Sequence, residues 1–263
     1  MAEKPTDLLL AEDLQIAIRT KGQTLYPVNR LTLRIPSHTV VGLVGESGCG
    51  KSMTAMAIMG LLAPSVSISG GRIFFEGEEI SAYTSKQMRR ITGDRMSMIF
   101  QEPMTSLNPV VRVGIQVEEV LKLHTSLTKR QRYERVIQMF RQVNIPEPEE
   151  RYLSYPFQLS GGLRQRIMIA MAMICEPKLL IADEPTTALD VTIEAQILHL
   201  MRELKSKFDT SILMITHNLG IVSELCDRVN VMYLGEIVEY ADTDDLFRHP
   251  LHPYTEGLIH SVP

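Results

Sequence analysis

The amino-acid sequence predicts an α/β fold with buried parallel strands, preceded by antiparallel strands and interrupted by a helical segment. Three observations carry this expectation. Residues 40–44, 179–182 and 212–215 are short apolar runs and 96–100 is a further buried-strand candidate, the composition of strands covered on both faces. Residues 195–208 follow a helical pattern between the last two runs, as a crossover between parallel strands requires. A glycine-rich turn separates the first run from a helix beginning near Lys51.

In chain order, Leu14, Ile16 and Ile18 alternate, and Leu31, Leu33 and Ile35 do the same. Residues 7–44 therefore read as β-rich, with half-buried antiparallel strands before the first buried one. Residues 72–75, with Ile80, give a further β segment. From 104 to 159 helical patterns dominate, at 113–123, 129–143 and 147–153. Pro103, Pro109, Pro146, Pro148 and Pro156 punctuate them. Strands and helices alternate again after 160. The 15 methionines, several within 53–59 and 168–173, read as adaptable filler of buried helices.

Composition narrows the class. A chain of 263 residues is long enough for a full core without disulfide or metal staples. Its Gly, Pro and Cys usage excludes collagen-like, disordered and disulfide-scaffold proteins. With 27 basic and 31 acidic residues the formal charge is −4, which argues against a nucleic-acid coat protein. The longest notable apolar run, 167–175, falls short of the roughly 20 residues that span a bilayer. The first ten residues contain acids and no apolar h-region of a secretory signal. Cys49, Cys175 and Cys226 lie far apart without CxxC spacing, suggesting reduced thiols and the cytoplasm.

The strongest local signal is the run Gly45, Glu46, Ser47, Gly48, Cys49, Gly50, Lys51, Ser52. It fits GxxxxGK[ST], and it stands after an apolar strand and before a helix, the context that motif needs. Glycine lets the backbone bend closely around phosphate. Successive N–H groups and the positive end of the following helix then face the anion. Lys51 would reach the β- and γ-phosphates and Ser52 a Mg²⁺ position. Cys49 has two readings: a reactive thiolate favoured by the Lys51 cation and the helix N-terminus, or an incidental residue at a tolerant position. Downstream, the apolar run at 179–182 ends in Asp183 and Glu184. Asp183 can hold Mg²⁺ through water, and Glu184 can accept a proton from an attacking water.

Together these segments resemble ATP-binding cassette (ABC) ATPases. The run from Tyr155 to Arg166, containing Ser160-Gly161-Gly162, resembles the family's signature motif. Residues 182–190 resemble its Walker B motif and D-loop, ending at Asp190. Gln101 resembles the Q-loop glutamine, and His217, after the strand at 212–216, resembles the switch histidine. The landmarks stand in family order over nearly the whole chain. The resemblance implies a P-loop NTPase with a RecA-like core and antiparallel β subdomain (7–103 and 160–240), an inserted helical subdomain (104–159) and a C-terminal extension (241–263). It implies ATP and Mg²⁺ as ligands, with Ser52, Gln101 and Asp183 toward the metal and Glu184, His217 and Gln101 as catalytic groups. Two cassettes would face head to tail, so that Ser160, Gly161, Gly162 and Asp190 serve a neighbour's nucleotide. Two departures stand out. Leu163 replaces the common glutamine of the signature. The adenine-stacking aromatic is not evident, with Tyr26 poorly spaced and Ile18 at the expected place.

The segment from Gln101 to Pro109 resembles the long Q-loop of oligopeptide, dipeptide and nickel importer ATPases, and the segment from His249 to Pro263 resembles that branch's C-terminal region. The implied function is an ATP-hydrolysing importer subunit at the cytoplasmic face of the membrane. Its implied partners are a second ATPase subunit, identical or homologous, a transmembrane permease and, indirectly, an extracytoplasmic solute-binding protein. Peptide is the first expectation for cargo and a nickel or metal chelate the second. A soluble non-transport ABC ATPase is disfavoured by the absence of coiled-coil insertions and zinc-ligand cysteines. Met104, Leu107 and Val110 are either permease contacts or core residues. His249, His252 and His260 lack a carboxylate or thiolate partner, and the adjacent prolines suggest an extended tail rather than a metal site. Single-subunit members of the branch often continue into a cysteine-containing tail for an iron–sulfur cluster. No Cys follows Cys226 here, which leaves a short member, a shortened chain or half of a tandem ATPase as alternatives.

Overall fold

The computed structural model describes residues 7–20, 22–101, 106–187 and 189–261. The chain divides into two compact units, one of residues 1–89 with 210–263 and one of residues 90–209.

In the first unit, β1 (Asp7–Thr20) pairs antiparallel with β2 (Gln23–Pro36) and β4 (Val66–Phe75), and β4 pairs with the short β5 (Glu78–Glu79). The alternation in β2 is borne out: Leu31, Leu33 and Ile35 are fully buried while Thr32 and Arg34 are exposed. β4 begins six residues before the predicted Arg72. Its first half alternates Val66 and Ile68 with Ser67 and Ser69 before the pair Gly70 and Gly71, too short an apolar signal to stand out, and Ile68 pairs with Ile16 and Val66 with Ile18. A bulge interrupts the β1–β4 ladder between Glu12 and Gln15. There Gly71 has φ +78°, and a Cβ on it would lie 2.3 Å from the Asp13 carbonyl oxygen.

The same unit holds a parallel set. β3 (Val40–Val44) lies between β8 (Ser211–Thr216) and β9 (Arg228–Tyr233), and all its residues are buried. β10 (Glu236–Asp242) returns antiparallel to β9. The β9–β10 turn places Leu234 at φ +46° and Gly235 at φ +89°, the left-handed pair of a tight hairpin. Helix α1 (Lys51–Ile58) follows β3.

The second unit contains the parallel pair β6 (Met96–Ile99) and β7 (Leu179–Asp183), in register from Met96–Leu179 to Ile99–Ala182. Its helical segment agrees closely with the sequence pattern: α3 (Val113–His124), α4 (Lys129–Gln142) and α5 (Pro148–Leu153). The preceding one-turn helix α2 (Ser85–Met88) belongs to the first unit. Thr128 and Gln131 close a reciprocal cap at the start of α4. Gly114 makes room for the Tyr152 ring, whose hydroxyl donates to Glu118 at 2.5 Å while Arg132 bonds the other Glu118 oxygen at 3.0 Å. Helices α6 (Gly161–Met173) and α7 (Val191–Phe208) complete the unit. The methionine clusters are core filler in part: Met59, Met168 and Met173 are buried, whereas Met53, Met56 and Met171 are half-buried.

The first unit ends in α8 (Leu219–Leu225), α9 (Thr243–Arg248) and α10 (Pro253–His260). The expected extended tail is thus corrected to two helices. Pro253 stands at the first helical position, where its missing N–H costs nothing and its fixed φ suits the helix.

Candidate active site

In the first unit, β3 and β8 run parallel with Val44 opposite Thr216. The 45–50 loop and His217 therefore leave from the same carboxyl edge, where ligands of α/β sheets bind. Gly45 and Gly50 are required by both space and backbone. Gly45 has φ +152°, and a Cβ on it would sit 2.1 Å from the Met232 carbonyl oxygen; Gly50 has φ +113°, with the Pro27 oxygen 2.5 Å away. Gly48 is required by its φ of +83° alone. Glu46, Ser47 and Gly48 form the exposed lip, and Ser52 is half-buried in the first turn of α1. That helix begins at Gly50 without a side-chain cap, so its first N–H groups are oriented as an anion site needs.

Lys51 is only 5% exposed. Its Nζ donates to the Gly45 oxygen at 2.7 Å and the Glu46 oxygen at 2.8 Å, and lies 3.8 Å from Cys49 Sγ. The cation is thus stored against carbonyls of its own loop. Cys49 is itself buried, which opposes the reactive-thiol reading, because a nucleophile needs access.

In the second unit, Asp183 ends β7 and is 3% exposed. Glu184 follows with φ +47°, a left-handed conformation for a residue with a side chain. Such backbone strain, roughly 1–3 kcal/mol, persists where surrounding structure enforces it. Here one carboxylate oxygen accepts from Gln101 Nε2 and from Thr187 Oγ1, both at 2.9 Å. Gln101 and Glu184, both beyond the carboxyl ends of paired parallel strands, are brought into direct contact. Thr187 was not singled out in the sequence; its place three residues after Glu184 is the signal that could have found it.

Ser160 caps α6, accepting from the Leu163 N–H at 3.4 Å, and Gly161 and Gly162 open that helix. Gly162 also admits Ile193, whose Cγ2 would be 3.0 Å from an added Cβ. Gln165 is buried and donates to the Pro185 carbonyl at 2.5 Å, tying α6 to the segment after Glu184. Asp190 caps α7, accepting from the Ile193 N–H at 2.9 Å.

The remaining candidates separate. Leu107 is 2% exposed and is a core residue, while Val110 is 77% exposed; Met104 lies outside the described residues. Tyr26 is half exposed on β2, and Ile18 pairs with Leu25. His252 Nδ1 accepts from the Tyr254 N–H at 3.1 Å, an occupation that places it in a helix cap. Tyr254, which no motif in the sequence singles out, accepts from the Glu46 N–H at 3.0 Å through its hydroxyl oxygen.

Comparison with known proteins bears on the chain as a whole. The ABC transporter family model matches residues 28–187, and a model described as the oligopeptide/dipeptide transporter C-terminal region matches residues 238–263. The oligopeptide transport ATP-binding protein OppD of Salmonella typhimurium is 49% identical over 263 residues, 100% of this chain and 78% of that one. The dipeptide transport ATP-binding protein DppD of Bacillus subtilis is 49% identical over 257 residues, covering 97% and 77%. Among solved structures, a dimeric ATP-binding cassette in a post-hydrolysis state with ADP and Pi superposes with TM-score 0.80 at 22% identity, over 89% of this chain and 98% of that one. A cassette of the cbiONQ ABC transporter complex of Clostridium perfringens gives 0.78 at 26% identity, over 92% and 91%.

Proposed function

The chain belongs to the ABC transporter family, and from that premise we propose that it is the ATP-hydrolysing subunit of an importer that takes up oligopeptides or dipeptides through a separate permease. The observation that carries this reading is the GESGCGKS loop, folded with a buried Lys51 between β3 and α1, in a chain similar along its whole length to peptide-transport ATPases. It works as a member of a head-to-tail pair at the inner face of the membrane, with a permease and a solute-binding protein as further partners. Among the described residues no helix is long and apolar enough to cross a membrane. The RecA-like core (7–103 and 160–240), helical subdomain (104–159) and C-terminal extension (241–263) are the functional divisions we assign.

The chemistry follows from charge and placement. Loop N–H groups receive the phosphates of ATP, and Lys51 exchanges its loop carbonyls for phosphate oxygens as negative charge arrives. Glu184 polarises water and takes its proton. Gln101 and Thr187 fix the direction of the Glu184 carboxylate, which is positioning rather than chemistry. His217 stabilises charge at the phosphate from the edge of β8. Ser160, Gly161, Gly162 and Asp190 complete the partner cassette's site. A hydroxyl at Ser52, an amide oxygen at Gln101 and a buried carboxylate at Asp183 are hard oxygen donors that fit Mg²⁺, an ion commonly bound by one or two carboxylates together with substrate phosphates. When bound, that ion neutralises charge on the β- and γ-phosphates.

Copurification of the chain with its permease, followed by ATPase assay with binding protein and peptide, tests the reading. Peptide-stimulated hydrolysis is expected; a complex with no permease, or with hydrolysis indifferent to peptide, contradicts it.

A further inference from the structure

One peptide group of the phosphate loop is held from both sides. The Gly45–Glu46 peptide offers its carbonyl oxygen to Lys51 Nζ at 2.7 Å and donates its N–H to the Tyr254 hydroxyl oxygen at 3.0 Å. Gly45 carries no side chain and has φ +152°, so this peptide has little intrinsic resistance to rotation. When Lys51 turns to an incoming phosphate, the carbonyl-side restraint is released. The Tyr254 bond remains.

Tyr254 reaches that position on a built support. Glu239 of β10, itself buried, accepts from the Leu251 N–H at 2.7 Å and the His252 N–H at 3.0 Å. Pro253 then starts α10, and His252 Nδ1 caps the Tyr254 N–H. The Tyr254 ring packs on Tyr233, centroids 4.4 Å apart. Tyr233 follows Met232, whose carbonyl is the group that excludes any Cβ from Gly45. One wall of the first unit thus carries both the steric limit on Gly45 and the aromatic seat of Tyr254. Burial pushes the Tyr254 phenol above its ordinary value of 10, so the hydroxyl is neutral at physiological pH.

We propose that Tyr254 of the C-terminal segment is a positioning residue for nucleotide binding, its hydroxyl holding the Gly45–Glu46 peptide while Lys51 leaves that peptide for the phosphates. The proposal rests on the ATPase reading above. It gives the C-terminal segment a part in forming the nucleotide loop.

The test compares wild type, Tyr254→Phe and Tyr233→Phe as full chains. Tyr254→Phe keeps the ring and its packing and removes one hydroxyl. Its KM for ATP should rise about threefold to tenfold, the range of one lost neutral hydrogen bond, with kcat within about twofold. Tyr233→Phe removes a hydroxyl from the same aromatic pair and should leave KM unchanged. Hydrogen exchange at the Glu46 amide should be slow in wild type and fast in Tyr254→Phe. A folded Tyr254→Phe protein with wild-type KM overturns the proposal, as does a wild-type Glu46 amide that exchanges without protection. A wild-type chain that binds no ATP removes the ATPase reading as well; wild-type binding with no effect of Tyr254→Phe removes only the role of Tyr254.

Discussion

Glu184 combines a left-handed backbone with a carboxylate held by Gln101 and Thr187, so its geometry is imposed and its chemistry depends on charge. Glu184→Gln keeps the shape and removes the proton acceptor. Turnover should fall by about 10²–10⁴-fold while ATP binding survives, read by single-turnover hydrolysis beside equilibrium binding; unchanged turnover contradicts the assignment. Thr187→Ala removes only a positioning bond and should lower kcat more mildly, with KM unchanged. Gly45→Ala tests the loop itself. Its Cβ would meet a backbone carbonyl that cannot step aside, so a loss of about 1–3 kcal/mol is expected in denaturant unfolding, together with weakened ATP binding. At this scale the sequence was most legible where the chemistry is local. The glycines, Lys51 and the paired acids lie within short motifs whose residue types announce their roles. Thr187 and Tyr254 were not legible because their partners are set by how strands and helices bring separate segments together.

At the scale of elements, the C-terminal helix α10 hangs from Glu239. Burial alone would raise the pKa of that carboxyl, but hydrogen bonds from the Leu251 and His252 N–H groups, with the Thr255 hydroxyl nearby, outweigh it and hold the pKa below the ordinary 4.5. A pKa lowered in the folded state contributes stability that is complete above the ordinary value and is lost as pH falls through the lowered one. The Leu251 and His252 amides should therefore stay protected near neutrality and lose protection, once exchange is corrected for its intrinsic pH dependence, only in acid below about pH 4.5. Protection that is independent of pH there contradicts the anchor. The buried Glu118 offers a parallel case: Tyr152→Phe leaves one of its carboxylate oxygens without its donor, costing about 1–3 kcal/mol by thermal unfolding. Helices α3 and α4 were legible from their apolar faces, α4 also from its Thr128 cap, and α5 from the proline at its start. The first half of β4 and the two C-terminal helices were not. The former carries only two apolar residues, Val66 and Ile68, before a glycine pair, and owes its state to pairing with β1. Of the latter, α9 is a single short stretch ending before Pro250, and α10 begins amid prolines that read as breakers, although Pro253 sits where proline favours a helix.

For the whole molecule, each compact unit carries a coherent set of groups at the carboxyl edge of parallel strands: the phosphate loop with His217 in one, and Gln101, Asp183 and Glu184 in the other. The α/β class, the order of landmarks and the family were all legible, since they rest on runs and motifs rather than on long-range packing. Pairing of two such chains around ATP predicts that the Glu184→Gln protein, given ATP, elutes as a dimer, whereas the same protein without nucleotide elutes as a monomer. Transport is the property furthest from any single residue and the one that defines the proposed role. Its most direct measurement is uptake into vesicles that hold the chain with its permease, supplied with binding protein, ATP on the cytoplasmic side and either labelled peptides or a nickel chelate. ATP-dependent accumulation of peptide, abolished by Glu184→Gln, is the expected result. Accumulation of the nickel chelate but not of peptide, or peptide uptake that persists in Glu184→Gln, would contradict the account.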